Sequence, residues 1–124
     1  MQNERRNGDR YCFHLDLQPK GELTLFVDGR ILSVWKLVDI SPFGTGLSIH
    51  ESLDAGSNVS LQYLDDNGEI QVSGTVAWSD LENSQEEGEG YRVGIQFSRK
   101  TMSLNVAIFK AVTDFPTDYH RCAA

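Results

Sequence analysis

RILSVWKLVDISPFGTG, residues 30–46, decides how this chain folds. Its first eleven residues, 30–40, are dense in β-branched and apolar side chains and read as one long strand. SPFGTG then breaks that strand, with Pro42, Gly44 and Gly46 as punctuation. Just upstream, ELTLFV (22–27) is rich in strand formers, and the Asp28-Gly29 pair that follows is a strong hairpin signal. Downstream, LSI (47–49) reads as a short strand and DAGSN (54–58) as a turn. VSLQYL (59–64) alternates apolar and polar residues as a half-buried strand does, and DDNG (65–68) is a second hairpin turn. EIQVSGTVAWS (69–79) is the next long strand, in which Gly74 suggests a bulge or bend. ENSQEEGEG (82–90) reads as a solvated loop and YRVGIQF (91–97) as the last strand.

The two ends differ from this middle. YCFHLDL (11–17) alternates loosely, whereas residues 1–10 have no periodicity and read as a flexible arm. Near the C-terminus, Leu104, Ile108, Ala111 and Val112 recur at helical spacing, with Ser98 or Thr101 as N-cap. Residues 114–124 form a tail without clear structure. About six strands at short intervals with one C-terminal helix point to a mainly all-β sandwich or barrel. A barrel removes the hazard of open sheet edges by closing on itself.

The chain has 124 residues, one domain's worth, with 40% apolar residues for a single core. Its net charge is −7, unevenly spread: residues 51–90 hold ten acids and no Lys or Arg, leaving eight acids against eleven bases elsewhere. Binding a nucleic-acid duplex needs many cations along one face, which this chain cannot supply, so nucleic acid is not an expected partner. One small cationic pocket remains affordable. Cys12 and Cys122 lie near opposite ends with no metal spacing. A disulfide between the termini is one reading; two idle or buried thiols are the expected one. No apolar run approaches 18 residues and no signal-peptide pattern precedes the domain, so a cytoplasmic protein without a membrane span is expected.

Catalytic signatures are absent. His14, His50 and His120 form no helical metal pair, and no G-x-S-x-G elbow is present. His14 and Asp16 share a strand face without a convincing partner, so an enzyme is disfavoured. The arginines are more informative. Arg5, Arg6 and Arg10 crowd ERRNGDRY (4–11) in an otherwise acidic chain. A guanidinium stays charged at every working pH and grips a phosphate or the O6/N7 edge of guanine bidentately. In DISPFG (39–44), Asp39 can accept hydrogen bonds from a guanine N1–H and N2–H₂, Ser41 can complete a phosphate or base contact, and Gly44 lets a flat ligand approach the backbone. Taken separately, each stretch has an ordinary alternative: a solvated arm for the first, plain turn chemistry for the second.

Together and in this order, an R-x-x-x-R arm, a strand hairpin and D-x-S-x-x-G at a strand end resemble the PilZ domain. YRVGIQF resembles that family's strand before its C-terminal helix, and the likeness runs from residue 4 to about 113. It implies a six-stranded antiparallel β-barrel with a C-terminal α-helix, divided into a ligand-binding arm (1–10), a barrel plus helix (11–113) and a tail (114–124). It further implies a non-enzymatic receptor for the bacterial second messenger cyclic di-GMP, with no other cofactor, that signals in trans to an unidentified effector protein. By the same resemblance Arg6 and Arg10 match the motif arginines, Asp39, Ser41 and Gly44 match the second motif, and Arg5 favours an intercalated dimer of the ligand. Trp78 sits where some members stack an aromatic ring on a base; packing beneath the helix is its other reading. The alternative function is a PilZ-fold interaction adaptor that binds no nucleotide, with the acidic 51–90 region as its contact face.

Overall fold

The computed structural model describes residues 11–12, 18–84, 88–113 and 120–121. The arm with Arg5, Arg6 and Arg10 lies outside them, as do His14, Asp16 and Cys122. The elements are β1 (Tyr11–Cys12), β2 (Glu22–Val27), β3 (Arg30–Ser33), β4 (Lys36–Ser41), β5 (Gly44–Ile49), β6 (Asn58–Asp65), β7 (Gly68–Ser84), β8 (Gly88–Phe97), α1 (Met102–Thr113) and β9 (His120–Arg121). The strands pair antiparallel into one sheet of order β3-β2-β6-β7-β8-β5-β4-β1-β9.

The long strand expected at 30–40 is divided, and the division shapes the molecule. β3 pairs with β2 at one end of the sheet, and β4 pairs with β5 near the other. Between them the Val34 N–H donates to the Leu23 carbonyl (3.3 Å) and the Trp35 N–H to the Ser48 carbonyl (3.1 Å). One stretch of chain thus belongs to both ends of the sheet and curls it into a half-barrel. Among the described residues seven strands longer than two residues result where six were expected, because this one stretch counts twice.

Local chemistry explains the turns. Asp28 (φ 49°) and Gly29 (φ 78°) both adopt positive φ, as a two-residue hairpin with strand-matched twist requires. The polar segment 82–90 is not simply a loop. Residues 82–84 extend β7, residues 88–90 begin β8, and they pair with each other, while 85–87 lie outside the described residues. The ladder satisfies this backbone even though the side chains are poor strand formers.

Inside the curl sit Leu25, Leu37, Ile40, Leu47, Ile49 and Leu61, all but inaccessible to solvent. Helix α1 packs on β7 and β4 and adds Ile108 and Val112 to the same core. Each such burial contributes about 1.5–3 kcal/mol. The expected helical stripe holds at Ile108 and Val112 but not at its first member: Leu104 is exposed, whereas Asn105 is fully buried. Asn105 is tied in place. Its Nδ2 donates to the Ser98 carbonyl (2.9 Å) and its Oδ1 accepts from Thr101 Oγ1 (2.9 Å). Ser98 itself caps a short 3₁₀ turn, Arg99–Thr101, by accepting from the Lys100 N–H (3.1 Å). Of the two expected capping residues, Ser98 caps the turn that leads into the helix, whereas Thr101 lies within that turn and its hydroxyl donates to Asn105 Oδ1 and the Ser98 carbonyl.

Two side chains fasten the start of the described barrel. The Gln18 amide donates to the Leu37 carbonyl (3.1 Å) and accepts from the Leu37 N–H (2.7 Å), pairing with β4 as a neighbouring strand would. The buried Tyr63 hydroxyl accepts from the Gly21 N–H (3.1 Å). Desolvation raises the Tyr63 pKa above its ordinary value; the Gly21 hydrogen bond opposes this and Asp65 adds to it.

Asn105→Ala leaves the Thr101 hydroxyl and the Ser98 carbonyl without this buried partner, and a loss of about 1–3 kcal/mol is expected in urea unfolding; an unchanged midpoint would contradict the bracing role. For Tyr63, the folded state holds the phenolic proton more tightly than the unfolded state does. Its contribution is therefore complete below the ordinary phenol pKa of about 10 and is lost as pH rises through the folded value. Denaturant titrations of wild type and Tyr63→Phe across alkaline pH should show a steeper stability decline in wild type.

Candidate functional site

A β-strand sends successive side chains to opposite faces, so a residue's face follows from its register. Two irregularities reset that register. β4 slips against β5 between Leu37 and Asp39, and β7 slips against β8 between Val76 and Trp78. Leu37 and Val76 are core residues. Two places further along an unbroken strand, Asp39 and Trp78 would also face the core. The extra residues, Val38 and Ala77, turn both outward, which is how a β-bulge re-aims a side chain. The bulge suggested at Gly74 therefore occurs three residues later. Gly74 serves a close approach instead, since a Cβ there would collide with the Gln96 carbonyl (2.6 Å) and Ile95 Cγ2 (2.9 Å).

With the bulges in place, four strands present one transverse row. Asp39 lies opposite Gly46, Gly46 opposite Gly94, and Gly94 opposite Trp78. The row faces outward, because the flanking Ile40, Leu47, Val93 and Ile95 are buried in the core. Asp39 and Trp78 both lean over the bare glycines between them. Asp39 Oδ1 accepts from the Gly46 N–H (2.9 Å), which seats the carboxylate on rigid sheet. The Trp78 indole covers Gly94 where a Cβ would otherwise stand, and the side chain remains 43% exposed. Of the two readings of Trp78, packing beneath the helix is ruled out by this position. The result is a flat floor with a carboxylate at one side and an aromatic plate at the other.

Ser41 and Gly44 close the hairpin beside this row. Ser41 is 6% exposed, and its Oγ accepts from the Phe43 N–H (3.1 Å), so it shapes the turn. The Thr45 hydroxyl donates to the Asp39 carbonyl (2.6 Å) and braces the same corner. A Cβ on Gly44 would fall on the Ile95 carbonyl oxygen, so packing against β8 already requires glycine there. The first described strand joins the floor at this corner, where Tyr11 pairs with Ile40. The chain thus enters β1 at the Asp39–Ser41 end of the floor. Arg5, Arg6 and Arg10 themselves lie outside the described residues.

The PilZ domain family model matches residues 4–112 of the sequence. The chain belongs to the PilZ domain family. Its fold matches that of the PilZ domain of YcgR from Escherichia coli, solved with c-di-GMP, at a TM-score of 0.67 and 13% identity, covering 90% of this chain and 91% of that one. It also matches MrkH of K. pneumonia in its c-di-GMP complex, at a TM-score of 0.63 and 17% identity, over 90% of this chain and 52% of that one. A third match is the Bacillus subtilis inhibitor of motility MotI/DgrA, at 0.54 and 12%, over 92% and 52%. This PilZ chain therefore spans about half the length of two of these proteins. No curated protein matches its sequence. Among the described residues no helix is long and apolar enough to cross a membrane, and no group of His, Cys, Asp and Glu is placed to hold a metal ion.

Motif reading reached Asp39, Ser41, Gly44 and Trp78 but not Gly46 and Gly94, which make the floor. Their signal was present as glycine within a strand, the mark of a close backbone approach. Gly94→Ala must push the indole off its seat. The Trp78 Nε1–H resonance should shift by NMR while far-UV circular dichroism stays unchanged; an unmoved resonance would show that the ring does not rest on Gly94.

Proposed function

We propose that this PilZ chain is a receptor for cyclic di-GMP. The observation that carries the reading is the outward row Asp39–Gly46–Gly94–Trp78, reached by the chain at the Asp39 end. A base stacks on the exposed indole, a contribution of about 1–3 kcal/mol. The Asp39 carboxylate accepts from the guanine N1–H and N2–H₂, and the glycines leave room for the ring. Arg6 and Arg10 close from above, gripping guanine edges and phosphates through charge-assisted hydrogen bonds of about 1.5–3 kcal/mol each. Two fold neighbours were solved with the same ligand, which supports the choice of nucleotide.

Ordering the arm costs conformational entropy, and the new contacts offset it. In this reading the closed arm creates or hides a surface for an effector protein, so the output is made in trans, in the cytoplasm and without catalysis by this chain. Arg5, directly before the motif, adds a third cation. Two intercalated ligands bring four phosphate charges, and Arg5 helps to offset them, so a stoichiometry of two ligands per chain is expected.

Calorimetric titration of cyclic di-GMP tests the reading. Arg10→Ala, Asp39→Ala and Trp78→Ala should each weaken binding by about tenfold to a hundredfold, with amide exchange at residues 4–10 slowed by ligand in wild type. Absence of heat with folded wild type at micromolar concentration would favour the nucleotide-independent adaptor.

A further inference from the structure

Beside the first outward row runs a second. Two residues along, Lys36 on β4 lies opposite Ser48 on β5, Ser48 opposite Arg92 on β8, and Arg92 opposite Asp80 on β7. Two residues along a strand amount to about 6.6–6.8 Å, so the rows adjoin within reach of one small ligand. Lys36 and Arg92 are the only Lys or Arg in β4, β5, β7 and β8. Lys36 and Arg92 flank Ser48 in this row, and Ser48 is fully buried. The Lys36 ammonium lies 5.2 Å from the centre of the Trp35 ring, itself stacked on His50 at 5.7 Å.

The placement of this row relative to the arm gives it meaning. The chain enters the sheet at the Ser41 end, on one side of the Asp39–Trp78 row. Lys36 and Arg92 stand on the other side. A cyclic dinucleotide carries its two phosphates on opposite sides of one ring. Centred over Gly46 and Gly94, it sends one phosphate towards the arm and the other towards Lys36 and Arg92. In a body of net charge −7, the second phosphate needs cations there as much as the first. Arg92 lies opposite Asp80 in the register, and a guanidinium presents five N–H donors in one plane, which suits it to a phosphate.

We propose that Lys36 and Arg92 form a second phosphate-binding wall of the floor, opposite the arginine arm. The inference rests on the cyclic di-GMP reading above and adds the residues that hold the far phosphate. Isothermal titration of cyclic di-GMP into wild type, Arg92→Gln and Lys36→Gln, at low and at high salt, tests it. Each variant should bind about tenfold to a hundredfold more weakly than wild type at low salt. The gap should narrow at high salt as the charges are screened. Folded variants, judged by circular dichroism, that bind as wild type does would overturn the inference while leaving the receptor reading standing. Absence of heat with wild type would overturn both. If Arg92→Gln does not fold, Lys36→Gln decides: weakened binding supports the wall and unchanged binding removes it.

Discussion

Everything in this molecule depends on one backbone constraint. A single stretch, residues 30–41, must hydrogen-bond to β2 in its first half and to β5 in its second. The crossing at Val34–Trp35 joins the two ends of a sheet that would otherwise stay open, and it encloses the core. It also fixes the direction in which β4 emerges, and so the place where Asp39 stands. The hairpin behind Asp39 is braced by Ser41, Thr45 and the Gly46 N–H. The Gly46 N–H holds the carboxylate itself, and the other two hydrogen bonds hold the backbone around it.

Much of this was legible in the sequence where the physics is local. Asp28-Gly29 announced a hairpin because positive φ is a property of the turn residues themselves. VSLQYL announced its inward face through alternation. Asp39, Ser41 and Gly44 stood out because their spacing resembles a family signature, and the PilZ family model matches residues 4–112. Other features depend on partners far away in sequence. The break at Val34–Trp35 has no turn residue to mark it; tertiary pairing alone divides the strand. Residues 82–84 and 88–90 look like loop, yet they are strand because each supplies the other's ladder. Asn105 displaced Leu104 from the core face because its amide finds two partners in the preceding turn. Gly46, Gly94, Lys36 and Arg92 meet only through cross-strand register, which a single sequence does not display.

Charge is arranged against the average of the chain. The whole is acidic, yet the four strands around the floor place their two cations on the face that carries Asp39 and Trp78. An acidic body gives an anion no long-range attraction, so close contact has to supply the affinity. Under the proposed reading such a surface is selective, because weakly matched anions gain nothing to offset the surrounding field.

The two bulges carry a final implication. What turns Asp39 and Trp78 to the solvent is one additional residue in each strand, Val38 and Ala77, and not the chemistry of either. The outward face is therefore set by the number of residues in β4 and β7. Loss of a single codon at either place would leave every polar and aromatic letter intact, yet swing the acid or the indole into the hydrocarbon interior. Insertions and deletions here should be purged more strictly than substitutions of the same two residues.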